Sequence, residues 1–295
     1  MPRNGNHLPG FYLHLHLGVK KKFMKTIIVA VDFSPLSRNA AYYAANLAMQ
    51  LDAELLLVNV VEVPITLWEV PESGYNVDRM IDDSEEELKS LQHELLAYVH
   101  NRIAVDRVTP VGTVAQCLED AAREKDAFCV VMGMDSVSKI EHIMIRNHAL
   151  AAIQSLSIPV LIVPQVPFRN IRKMTLAADL ADFRNVSALK SLKEWLRLFR
   201  AKLDVVSVVK TGEPRPDIII GSHALQYELA DFDPEVHYIY ESEVKQAIEN
   251  FVEQNKPDLL VTMPTKYGFF AGLFHKSQSK QLITQPHIPV LSILE

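Results

Sequence analysis

Short, continuous runs of apolar and β-branched residues alternate along the chain with longer segments whose apolar positions recur at helical spacing. Lys25–Asp32 (KTIIVAVD) predicts a strand buried on both faces, as in a parallel sheet. Ser34-Pro35 then gives a helix cap followed by proline at the first helical position, and Asn39–Leu51 carries the helical pattern onward. Strands follow at Glu54–Val61, Val105–Val111, Phe128–Met132 and Val160–Val163, with helices over Asp82–Arg102 and Thr113–Glu124. Glu62–Val77, with Pro64, Pro71 and Gly74, reads as a long loop.

The same order returns from Lys173. Strands are predicted at Met174–Asp179, Leu203–Val209, Val236–Tyr240, Asp258–Thr262 and Val290–Leu294. Helices are predicted over Asn185–Lys202, Ile218–Leu229 and, capped at its start, Ser242–Gln254. A shift of 130 positions lays Val130–Pro164 on Leu260–Glu295, pairing Pro159-Val160-Leu161 with Pro289-Val290-Leu291 and Gly133 with Met263. An internal repeat of this kind governs the fold. Alternating strands and helices with short connections predict α/β architecture, as two doubly wound parallel-sheet domains. The boundaries read as an extension over 1–23, a first domain over 24–164, a linker over 165–172 and a second domain over 173–295.

Composition narrows the function classes. With 295 residues, 48% hydrophobic and 22% charged, the chain has material for two ordinary cores. A net charge of -6 speaks against broad binding to nucleic-acid phosphates. Cys117 and Cys129 have no metal or redox spacing and read as small core residues of a protein from a reducing, cytoplasmic setting. No apolar run approaches the ~20 residues that span a bilayer, so no membrane role is expected. The first 23 residues lack the pattern of a signal peptide, and Met24, just before the first strand, reads as the natural start. His14 and His16 alternate with leucines there, which is too little for a metal site.

In open parallel sheets ligands sit beyond the carboxyl ends of the strands, where strand order reverses. Asp32 and Asp179 end the first strand of each half. Either can accept hydrogen bonds from a ribose or an adenine amino group, or cap the turn that follows, and the residue pattern favours capping. Met132-Gly133-Met134-Asp135-Ser136 ends strand four of the first half, where one glycine allows close backbone approach. The second half has Met263-Pro264-Thr265-Lys266, and Pro264 removes an amide donor. No GxxxxGK[ST] or GxGxxG occurs, which removes P-loop and dinucleotide readings. His142, His148 and His275 with Ser277 lack an orienting third group, so no hydrolytic triad is expected. His100, His223, His237 and His287 are isolated and suggest no zinc site, while Trp68 and Trp195 read as packing residues.

Asp32 within IIVAVDFS, AELLLVNV over Ala53–Val60, Val111-Gly112 before a helix, Val130–Gly133 and Ile158–Val163 together resemble the universal stress protein family in tandem form. Asp179, Leu203–Val208, Asp258–Val261 and His287–Leu291 carry the likeness in the second half. The resemblance implies five parallel strands per domain and domains paired about a pseudo-twofold, Val160–Val163 against Val290–Leu294. It also implies that Asp32 and Val60, and Asp179 and Val208, hold the ribose and adenine of a nucleotide. The ATP-binding branch of the family has glycines and a Ser or Thr at positions that fall here on Gly133, Ser136, Arg146 and Asn147. In the second half they fall on Met263, Lys266, Lys276 and Ser277. One glycine and one serine survive, so both sites read as degenerate toward a triphosphate, with Met132 beside the one retained glycine. The reading that follows is a non-catalytic stress-response binding module. The alternative retains ATP or AMP binding, or slow ATP hydrolysis, in the first domain. A homodimer and a protein partner are further expectations.

Overall fold

The computed structural model describes residues 25–62, 77–134, 155–182, 186–209, 216–263 and 288–294. Each half contributes five strands. Those of the first half are β1 (Thr26–Ala30), β2 (Glu54–Val58), β3 (Val105–Val108), β4 (Cys129–Gly133) and β5 (Val160–Val163). Those of the second are β6 (Lys173–Ala177), β7 (Lys202–Val209), β8 (Glu235–Tyr240), β9 (Leu259–Thr262) and β10 (Val290–Ser292). The spatial order is β3-β2-β1-β4-β5-β10-β9-β6-β7-β8, one sheet in which the order of the first half returns reversed in the second. Every neighbouring pair is parallel except β5 and β10, which run antiparallel with Val290 opposite Ile162 and Ser292 opposite Val160.

The helices are α1 (Pro35–Leu51), α2 (Val77–Tyr98), α3 (Val114–Lys125), α4 (Val186–Phe199), α5 (Pro216–Glu228) and α6 (Val244–Asn255). They cover both faces, and the period of two in each strand divides the core accordingly. Ile27 and Val29 of β1 point into a cluster with α1, α2, α4 and α5. Ile28 of the same strand points into a second cluster with α3 and α6. Both clusters run through both halves without a break. Cys117 and Cys129 are buried free thiols, each held up from the ordinary cysteine range by burial above all.

Element types agree with the sequence pattern, and differences at the ends have local causes. The helix expected over Asp82–Arg102 begins at Val77, with Asp78 in its first turn. It stops at Tyr98 because His100 and Asn101 take left-handed backbone, with φ of 53° and 54°. The strand expected to reach Val111 stops at Val108, since Pro110 has no amide to donate, and Val111 returns only as a single bridge to Val61. The cap expected at Ser242 falls instead on Glu243, whose side chain makes no capping hydrogen bond. The linker over 165–172 has neither helix nor strand, and its Phe168 ring packs edge-on against Tyr43 of α1 at 4.9 Å.

Glu119 of α3 holds the approach to β5. It accepts hydrogen bonds from the Ser157 amide (3.0 Å) and hydroxyl (2.8 Å), and Arg123 lies 3.3 Å away. The Ser157 amide above all keeps the carboxyl below the usual glutamate range. A depressed folded-state pKa adds stability above the unfolded value that disappears as pH falls through the folded one. Glu119→Gln is therefore expected to lose about 1 kcal/mol at pH 7 and progressively less below pH 4 in urea titrations, whereas an equal loss at both would refute it.

Candidate functional site

Strand order reverses between β1 and β4, since β1 is bonded to β2 on one side and to β4 on the other. Beyond the carboxyl ends of β1, β2 and β4 lies a crevice of about 130 Å³, room for about four water molecules. It brings together four of the residues singled out in the sequence: Asp32, Val60, Met132 and Gly133. Ser37, Asn59, Glu62 and Val114 also line it. Those residues directly follow β2 or open a helix, and polar groups immediately after a fully buried run were the signal available for Asn59 and Glu62.

The β1–α1 turn is built by its own side chains. Asp32 Oδ1 accepts from the Ser34 amide at 3.0 Å, and Ser34 Oγ accepts from the Ser37 amide at 3.2 Å, capping α1. Ser37 Oγ donates to the Ser34 carbonyl at 3.1 Å and accepts from the Asp32 amide at 3.3 Å. Between them Phe33 sits in left-handed backbone at φ 62°, a conformation that side-chain-bearing residues seldom adopt. Asp32 thus caps the turn through one oxygen. Its other oxygen takes no hydrogen bond among the described residues, and the side chain is exposed at the crevice rim.

Asn59 fixes the opposite wall. Its amide group donates to the Val31 carbonyl at 2.7 Å, and its oxygen accepts from Ser84 of α2 at 2.6 Å. Glu62 Oε1 accepts from the Val114 amide at 3.4 Å, which places a carboxylate on the positive end of α3. Among the described residues the lining carries two carboxylates, Asp32 and Glu62, and no cation. The chemistry on offer is hydrogen-bond acceptance at the rim over apolar walls from Val60, Val114 and Met132. That arrangement suits a flat, uncharged ring with donors on it.

Gly133 has a structural duty. A Cβ there would lie 2.5 Å from the Leu36 carbonyl oxygen and 2.9 Å from the Ser37 amide, so the first turn of α1 occupies that side of the glycine. In the second half the buried Met263 stands at the equivalent place after β9. Asp179 Oδ1 accepts from the Ala181 amide at 3.1 Å, the counterpart of the Asp32 turn, and opens a short 3-10 turn over Leu180–Asp182. Val208 is partly buried near the end of β7. Ser136, Arg146, Asn147, Lys266, Lys276 and Ser277 lie outside the described residues, as do Trp68, His142, His148 and His275.

No helix among the described residues is long and apolar enough to cross a membrane. Residues 24–164 match the model of the universal stress protein family. A universal stress protein of Methanocaldococcus jannaschii is 26% identical over 144 residues, covering 47% of this chain and 81% of the relative. Among solved structures, a universal stress protein from Archaeoglobus fulgidus superposes with a TM-score of 0.69 at 16% identity, over 92% of this chain and 97% of that one. A Pseudomonas aeruginosa protein described as a candidate universal stress protein gives 0.54 at 12% identity, over 92% and 93%. At such identities the two superpositions speak for the fold alone, and they cover both halves.

Proposed function

Residues 24–164 belong to the universal stress protein family, and from that premise we propose that the chain is a non-catalytic stress-response module whose first crevice takes the nucleoside end of an adenine nucleotide. One observation carries this reading: Asp32, Val60, Met132 and Gly133 converge at the switch point around a small, apolar-walled crevice. Asp32 offers a carboxylate oxygen to a ribose hydroxyl or an exocyclic amine, and Val60 and Met132 offer apolar surface to a ring. Asp32 and Glu62 oppose the close approach of a polyphosphate by like charge. Two buried, unpaired thiols suit a reducing cytoplasm.

Calorimetry of the full chain with adenosine, AMP, cyclic AMP and ATP tests this. Adenosine and AMP are expected to bind with similar affinity, with no gain for ATP. Asp32→Ala should weaken both about 10- to 100-fold, the loss of a hydrogen bond to a charged acceptor. Flat titrations for all four ligands would remove the binding claim. Steady phosphate release from ATP that Asp32→Ala abolishes would instead establish the alternative, an ATPase.

A further inference from the structure

We propose that Asp204, Glu235 and His237 form a site for one divalent transition-metal cation of the Zn²⁺ type, at the end of the second half opposite to the strand ends that face ligands. One ligand atom from each of the three lies within 4.8 Å of the others. The sheet sets up the arrangement: Asp204 near the start of β7 stands directly across from Glu235 at the start of β8, and His237 follows on the same face of β8. Separated in sequence, His237 looks isolated; across two strands it is not.

Three observations favour a cation at this place. First, two carboxylates placed directly opposite each other on neighbouring strands repel. Lys173 on β6 places an ammonium 2.7 Å from Asp204 Oδ2, so among the described residues two carboxylates, that of Glu235 largely in solvent, share one ammonium. Second, Asp204 is only 5% exposed, and a carboxylate buried so deeply needs compensation, which Lys173 supplies through Oδ2 alone. Third, donors in this patch lack partners. His237 Nε2 is shielded from solvent and has no hydrogen-bond partner among the described residues, standing 3.7 Å from Glu235 Oε1. Thr175, fully buried on β6 directly across from Asp204, likewise has no partner for its hydroxyl among the described residues.

The donor set suits zinc. An imidazole nitrogen with two carboxylate oxygens, completed by water, is a common tetrahedral combination. Bonds of about 2.0–2.1 Å require donors about 3.3 Å apart, so the 3.7 Å pair needs only a small contraction. Glu235 is largely exposed and free to make it, while Phe251 of α6 packs against the imidazole at 5.0 Å and steadies it. Lys173 would keep one oxygen of Asp204 or give it up to the metal, and in either case it competes with binding.

The test is titration of the full chain with Zn²⁺ alone by calorimetry, and with Co²⁺ by visible absorption. The wild type is expected to bind, with a tetrahedral Co²⁺ band, and to gain thermal stability with added Zn²⁺. His237→Ala, on an exposed edge strand, should keep the fold, weaken that binding at least tenfold and lose both the band and the stabilisation. Lys173→Met should tighten binding several-fold by removing the competing charge. Failure of the wild type to bind, or a titration unchanged in His237→Ala because other histidines take the metal, would overturn the proposal.

Discussion

Replacing Trp195 with alanine should lower the unfolding free energy by about 3–5 kcal/mol, the range for emptying a fully buried aromatic site. Trp195 is 0% exposed on α4 and stacks on Phe199 at 5.4 Å within its own half. It also stacks on Phe128 of the first half at 5.0 Å, ahead of β4. Lys25 lies over that Phe128 ring, 4.6 Å from its centre, and pairs with Glu194 beside the tryptophan. Truncation therefore empties a site shared by both halves, and the two should lose stability together. Thermal unfolding should show one transition lowered by roughly 10 °C. Trp195→Phe should do much less harm, since the indole N–H has no hydrogen-bond partner among the described residues and its removal strands none of them. A wild-type melting point for Trp195→Ala would show that the halves do not depend on this contact.

Gly133→Ala should be nearly as damaging, about 3 kcal/mol, for the opposite reason. The added methyl would press on the Leu36 carbonyl at 2.5 Å, and backbone cannot swing aside as a long side chain can. The first turn of α1 must move, carrying with it the Ser34 cap and the hydrogen bond between Ser37 Oγ and the Asp32 amide. Ligand binding in the crevice should fall together with stability. Chemical denaturation beside adenosine titration checks this. An unaffected protein would mean that α1 has slack at its start, and that Gly133 serves the ligand alone.

Such contacts mark where sequence reading stops. The buried runs around Ile27–Val29, Leu55–Val58 and Val160–Val163 are legible because a strand covered on both faces has no polar phase. The Ser34-Pro35 start of α1 is legible because cap and proline act within a few residues of each other. Gly133 reads as room for a phosphate, but its nearest neighbours are Leu36 and Ser37, far away along the chain, and only the crossover from β1 to α1 brings them there. Asp32 admits both of its readings: one oxygen caps, while the other remains at the rim. Asn59 and Glu62 escape notice because a polar residue after a strand is ordinarily just a loop. The Asp204–Glu235–His237 group needs β7 and β8 in register before it exists.

The antiparallel seam between β5 and β10 also has a consequence for biosynthesis. Val160–Val163 leaves the ribosome well ahead of Val290–Ser292, its neighbour on that side. At common elongation rates the interval is on the order of ten seconds. Throughout it the nascent first half displays an all-aliphatic strand with open amides and carbonyls, a template for joining another copy. Pairing with β10 closes that edge once the second half has been made.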